Sequence, residues 1–184
     1  MRGTVQETET NMDGATSSEL TSQTETNAGT TSAPTGAKSR VRVLRLAEFY
    51  GRIALGAAFL SAVADRFGLW GAYGKPHVAW GDFAHFTKYT GMVNSFLPPR
   101  MIPAVAWTAT IAETAFGIGL ILGIYKRAIT LASAILLLLF ALAMAISFGI
   151  KAPLDYSVFG ASAAAFLLFA LEQNLKSEEK KAQK

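Results

Sequence analysis

The stretch AITLASAILLLLFALAMAISFGI, residues 128–150, decides the fold: from Ala128 to Ile150 it holds no ionisable side chain and is built around Leu136-Leu137-Leu138-Leu139. A hydrocarbon layer roughly 30 Å thick is crossed by about 20 mostly apolar helical residues, so this segment can span it alone and tolerate extensive lipid contact. Working outward, Lys126 and Arg127 close the preceding apolar segment, about Ile102 to Ile124, which opens after Pro98-Pro99 with Pro103 in its first turn, where a missing N–H costs least. On the other side a fourth segment begins around Asp155-Tyr156, after Pro153, and runs to Leu171. Its small-residue run Gly160-Ala161-Ser162-Ala163-Ala164-Ala165 lets a neighbouring helix backbone come close.

The first segment is the least regular. The unbroken apolar run Ile53 to Ala64 is too short to cross by itself, and either extension captures charge: toward Leu44 it takes in Arg45, Glu48 and Arg52, and toward Trp70 it takes in Asp65 and Arg66. The expected span is Leu44 to Ala64, with Asp65 and Arg66 near the far interface. The sequence therefore predicts an all-α integral membrane four-helix bundle over residues 41–172, crossing the bilayer four times. Residues 1–40, rich in Thr, Ser, Gly and Glu, cannot bury enough apolar surface to offset their ordering entropy and read as a disordered tail. The five acidic residues of that tail argue against a transit peptide, and no charged start followed by an apolar stretch marks a signal peptide. Residues 173–184 read as a basic cytoplasmic tail.

Lysine and arginine set the orientation. Lys38, Arg40, Arg42, Arg45, Lys126, Arg127, Lys176, Lys180, Lys181 and Lys184 share one side, whereas Arg66, Lys75, Lys88, Arg100 and Lys151 lie on the other, mostly in one long loop. The bias places both termini in the cytoplasm. The opposite, extracytoplasmic side carries an aromatic-rich loop from Phe67 to Arg100, with Trp70, Tyr73, Trp80, Phe83, Phe86, Tyr89 and Phe96. The spacing of Trp80, Phe83, Phe86 and Tyr89 fits a short interfacial helix, either as an aromatic belt at the headgroups or as a lid over an outward-opening pocket.

Composition narrows the chemistry. With no cysteine, the chain can form no disulfide, thiolate metal site, dithiol relay or iron–sulfur cluster. The two histidines, His77 and His85, both fall in the long loop, so no pair of spans offers bis-histidine ligation to haem, and no metal site is expected. The net charge of +4 is explained by basic residues at the ends of apolar runs, so no nucleic-acid partner is expected.

Glu113 lies in the middle of the second span. A carboxylate at that depth costs roughly 2.5–3.5 kcal/mol on insertion scales, so it should face the bundle, against a partner or protonated. Arg52 is the candidate partner, about two turns inside the first span; alternatively it bonds to Glu48, four residues earlier in the favourable acid-before-base order. Either the two form a buried clamp that fixes helix register, or Arg52 offers a charged donor to an anion or a quinone oxygen while Glu113 handles the proton. Asp65, Arg66, Arg100, Lys151 and Asp155 face one compartment and form a candidate polar mouth; Asp155 also reads as the N-cap of the fourth span.

Residues 43–171 resemble the DoxX family of small four-span bacterial membrane proteins. The resemblance rests on Leu46-Ala47-Glu48-Phe49-Tyr50-Gly51-Arg52-Ile53-Ala54-Leu55-Gly56, on Phe59-Leu60-Ser61-Ala62-Val63-Ala64-Asp65-Arg66, on Glu113-x-x-x-Gly117 followed by Leu120-Ile121-Leu122-Gly123, and on Gly149-Ile150-Lys151-Ala152-Pro153-Leu154-Asp155-Tyr156-Ser157. The family's span-embedded arginine and carboxylate correspond to Arg52 and Glu113. The resemblance implies a membrane bundle of a bacterial cytoplasmic (inner) membrane linked to quinone-dependent oxidation, and three expectations come from it and from the residues together. The first is a quinone-linked oxidoreductase subunit that binds quinone or a small anion between its helices, with Glu113 and Arg52 as the catalytic pair, Glu48, Asp65, Arg66 and Asp155 as binding residues, and a partner redox subunit supplying other redox groups. The others are a small-solute carrier and a non-catalytic assembly subunit.

Overall fold

The computed structural model describes residues 34–182, and among these the chain is helical, without a strand. In chain order the helices are α1 (Pro34–Arg66), α2 (Phe83–Val93), α3 (Ile102–Leu122), α4 (Lys126–Phe148), α5 (Lys151–Asp155) and α6 (Val158–Ala182), with a 3-10 turn at Pro99–Met101 leading into α3. Four segments are long and apolar enough to cross a membrane: Ser39–Arg66, Pro99–Leu122, Lys126–Phe148 and Val158–Glu178. The protein is thus an all-α, multi-pass membrane protein. Four crossings leave both ends of the span domain on one face, together with the Lys126-Arg127 turn; we call this the termini face, and its opposite the loop face. Of the tail read over residues 1–40, residues 1–33 lie outside the described residues, and α1 opens at Pro34 within that stretch. At the other end α6 stays helical through the basic segment to Ala182.

Local sequence explains the connections. α3 ends at Gly123 in the left-handed region (φ 71°), where the N–H groups of Gly123 and Ile124 both donate to the Gly119 carbonyl, at 2.9 and 3.1 Å. The turn to α4 is so short that the two helices must run antiparallel as neighbours. α4 and α6 pack through small residues: Ala134, Ala141 and Ala165 are fully buried, and the Ser162 hydroxyl donates to the Ala134 carbonyl at 3.0 Å. Small side chains permit the close approach that holds helices together where lipid removes the hydrophobic drive.

The expected first span, Leu44 to Ala64, lies within the segment Ser39–Arg66, and the register of α1 against α3 places its charged residues. Arg52 meets the last carbonyls of α3, Gly56 backs onto Gly117 closely enough that an added Cβ would sit 2.9 Å from its carbonyl oxygen, and Arg66 reaches Thr110 and Glu113. Carried on from Gly56 beside Gly117, α1 ends level with about Trp107, whose ring lies 6.4 Å from that of Phe67, so the first residue of α3 lies about 8 Å farther on at about 1.5 Å per residue, and the Arg66 side chain reaches back to Thr110 and Glu113. Asp65 and Arg66, expected near the far interface, are both buried within the protein, at 6% and 3% exposure. The apolar run Ile53–Ala64 need not cross the layer alone, because the aromatic strap and α2 cover the remaining part of α3. Phe83 lies 4.3 Å, ring to ring, from Trp107, and Gly91 faces Ile102.

The strap between α1 and α2 is irregular, and its backbone groups need partners where lipid offers none. One oxygen of the Asp65 carboxylate accepts from the Ala79 and Trp80 N–H groups at 2.9 and 3.1 Å, and the Trp70 indole donates back to the Ser61 carbonyl at 3.1 Å. Asp82 caps α2, accepting from the His85 N–H at 2.9 Å while its other oxygen meets the His85 ring at 2.8 Å. At the far end of α2 the Ser147 hydroxyl of α4 donates to the Val93 carbonyl at 2.6 Å. The helix expected around Trp80–Tyr89 thus runs from Phe83 to Val93, displaced by the cap at Asp82.

Two outcomes follow from the strap. Gly81 has φ 67°, and an added Cβ would fall 2.2 Å from the Tyr73 nitrogen, whereas Gly74 has φ 86° with nothing within 4 Å. Gly81→Ala should lower thermal stability well beyond the roughly 1–2 kcal/mol of left-handed strain that Gly74→Ala incurs, and limited proteolysis between residues 67 and 82 should report the difference. The free N–H and the ring of His85 hold the Asp82 carboxyl below its usual range. A lowered carboxyl pKa gives stability that is present above the unfolded value and lost as pH falls through the folded one. Hydrogen exchange in the first turn of α2 should accordingly quicken below about pH 3.9, and the step should vanish in Asp82→Ala.

Candidate functional site

Glu113 faces the bundle, as its mid-span position requires, but its partner is Arg66. One guanidinium nitrogen of Arg66 donates to both Glu113 oxygens, at 2.8 and 2.7 Å, and the other donates to the Thr110 hydroxyl at 2.9 Å. Thr110 sits one turn before Glu113 on α3 and passes its own proton to the Ala106 carbonyl at 2.8 Å, so every bond in the chain has one donor and one acceptor. The Phe86 ring lies 3.8 Å from the guanidinium carbon and Trp80 at 5.4 Å, roofing the pair with aromatic faces. Glu113 is 2% exposed. The arrangement is a closed clamp that locks α1, α3 and the strap in one register.

Arg52 does other work. Its Nε donates to the Leu120 carbonyl at 2.9 Å and a terminal nitrogen donates to Ile121 at 3.3 Å, so a cation sits on the unsatisfied carbonyls at the C-terminus of α3, where the helix dipole favours positive charge. Gly123 makes room for it, since a Cβ there would come 2.4 Å from the guanidinium. The expected Arg52–Glu113 contact is therefore absent and the local alternative holds: Glu48 lies 3.6 Å from Arg52, and also accepts from Lys126 at 2.9 Å.

Beside this cap the helices leave a cleft open at the termini face. A cavity of about 480 Å³ is lined by Glu48 from α1, by Tyr125, Lys126, Arg127 and Ala128 around the start of α4, and by Glu172, Leu175 and Lys176 from α6. A recess of about 250 Å³ shares Glu48, Lys126 and Leu175 with it and reaches Arg45, Phe49 and Arg52. Glu172 is only 5% exposed, its carboxyl 3.1 Å from the Thr130 hydroxyl. Arg127 is held from outside by Gln173 at 2.7 Å.

The residues named from the sequence thus separate into three places. Glu48 and Arg52 line the termini-face cleft; Asp65, Arg66 and Glu113 form the clamp and its strap contact; Asp155 is paired with Lys151 on the exposed loop face. Asp155 does not cap the fourth span, because it closes the short helix α5 and α6 begins only at Val158. Asp65 and Arg66 are buried whereas Asp155 is exposed, so the three do not line one open mouth. Lys126, Thr130 and Glu172 were not singled out from the sequence. Glu172 carries a readable signal: Leu168 and Leu175, four before and three after it, are buried on the same helix face. Comparison of the chain with protein-family models, with curated proteins and with solved structures returns no match.

The clamp makes a double-mutant prediction. Arg66→Met or Glu113→Leu alone leaves one buried charge unpaired and should cost about 3–5 kcal/mol, whereas the two together should come close to wild type. Detergent melting curves of the four proteins check this, and additive losses would contradict the clamp.

Proposed function

We propose that the protein is a DoxX-like subunit of a quinone-linked oxidoreductase in a bacterial inner membrane, with the termini face cytoplasmic, and that the quinone headgroup binds in the termini-face cleft. The observation that carries this reading is the meeting of cationic donors and carboxylates with apolar surface at one membrane boundary: Lys126, Glu48 and Glu172 line a cavity of about 480 Å³ beside Leu175 and Tyr125. Small-ligand sites of roughly 300–1,000 Å³ typically combine apolar walls with a few placed polar groups. Lys126 would donate to a quinone oxygen, Glu48 holds that ammonium in place, and Arg52 fixes the floor of the recess by capping α3. The resemblance to DoxX proteins supplies the quinone link, with the electrons coming from a partner redox subunit. Of the two residues first paired as catalytic, Arg52 stays with this cleft, while Glu113 belongs to the clamp.

The test is lipid extraction of the purified protein followed by spectroscopic quinone titration. Bound quinone is expected, with Lys126→Met weakening it by about tenfold or more through loss of one charged hydrogen bond, and the Arg66→Met/Glu113→Leu pair leaving it unchanged. Absence of both bound quinone and redox-dependent binding overturns the reading; substrate flux into liposomes without electron transfer would mark a solute carrier instead.

A further inference from the structure

Two threonines hold the same posture in this protein, and their surroundings differ by one proton. Thr110 and Thr130 each bond back to the carbonyl four residues earlier, at 2.8 Å to Ala106 and 2.6 Å to Lys126. A hydroxyl has one hydrogen, and two oxygens 2.6 Å apart without a hydrogen between them would repel, so in both residues that hydrogen is committed to the backbone. Each hydroxyl can then only accept from its third neighbour. For Thr110 the neighbour is the Arg66 guanidinium, a donor. For Thr130 it is the Glu172 carboxyl, with oxygens at 3.1 and 3.2 Å. An ionised carboxylate has no hydrogen to give, and a protonated one does. Thr130 is fully buried, so no solvent intervenes on its side.

We infer that Glu172 rests as a neutral carboxylic acid donating to Thr130, and that it is the proton donor of the termini-face cleft. The charged groups around it are Glu48 and Arg52 from α1, Lys126 and Arg127 from α4 and Lys176 from α6 itself. Glu48 is engaged by Arg52 and Lys126, Arg127 is held by Gln173, and no ion pair among the described residues includes Glu172. Glu172 and Glu48 line one cavity but differ in partners, a hydroxyl for the one and two cations for the other, the pattern that separates an acid from a charge-holding partner. The donor role rests on the quinone reading above. Reducing a quinone to a quinol takes two electrons, here from the partner redox subunit, and two protons. Glu172 gives one proton to a quinone oxygen and regains it from water at the termini face, and the second comes from water directly.

Infrared difference spectroscopy of the full-length protein tests both halves. Without quinone, wild type minus Glu172→Gln should show a carboxylic-acid carbonyl band at pH 7, and Thr130→Val, which removes only the hydroxyl, should shift that band. Glu113 cannot mimic it, because both of its oxygens accept from Arg66. If the difference shows only carboxylate bands, or if Thr130→Val leaves the band unmoved, the inference falls; should Glu172→Gln fail to fold, the Thr130→Val shift decides alone. With quinone bound, electrochemical reduction should perturb the band, and a band indifferent to reduction overturns the donor role. A band present in protein that binds no quinone overturns the quinone reading and leaves the protonated acid standing; quinone binding without the band does the reverse.

Discussion

An arginine and a glutamate cannot both lie at mid-depth in a bilayer unless they meet, and the rest of this structure is arranged so that Arg66 and Glu113 do. Their bidentate contact at 2.7–2.8 Å fixes where α1 stops against α3. Because α1 stops there, the outer part of α3 would be left bare, and the chain must return to cover it. α2 and the aromatic strap provide that cover, with Phe83 over Trp107 and with Phe86 and Trp80 over the guanidinium. Asp65, beside Arg66 on the same helix end, serves the same task by holding the strap backbone at Ala79 and Trp80.

At the other end of α1 the physics repeats with different partners. Arg52 satisfies the carbonyls that α3 leaves open, and a glycine at position 123 both closes α3 and clears space for the guanidinium. Here the helices α1, α4 and α6 do not close over their polar groups, and a cleft remains. The protein thus has one sealed polar site that holds register and one open polar site that can meet a ligand. Distinguishing them depends on counting donors and acceptors, since both contain a glutamate, an arginine and a threonine.

Much of the architecture was legible in residue type and spacing. The apolar lengths gave four spans, the mid-span position of Glu113 required an inward face, and the small run around Ser162 and Ala165 marked a helix contact. Partner choice was not legible, because it depends on the register between α1 and α3, which no single-helix pattern encodes. The clue was present in the run Ile53–Ala64: a segment too short to cross can also mean that its flanking charge lies inside the protein, under a covering element. Glu172 was hidden for a related reason. Next to a basic tail it looks solvated, and only its alignment with Leu168 and Leu175 reveals the buried face.

The depth of the end of α1 is the claim on which the account rests, and the cysteine-free chain makes it measurable with single spin labels. Leu69, just beyond Arg66, and Trp107, level with the end of α1, are both exposed, at 73% and 49%, as is Ile150 beyond the end of α4, at 60%. Labels at these positions in lipid vesicles, read by collision with oxygen and with a water-soluble relaxant, should place position 69 at the hydrocarbon depth of position 107. A reading at position 69 that matches position 150 near the headgroups would put Arg66 at the interface and contradict the account.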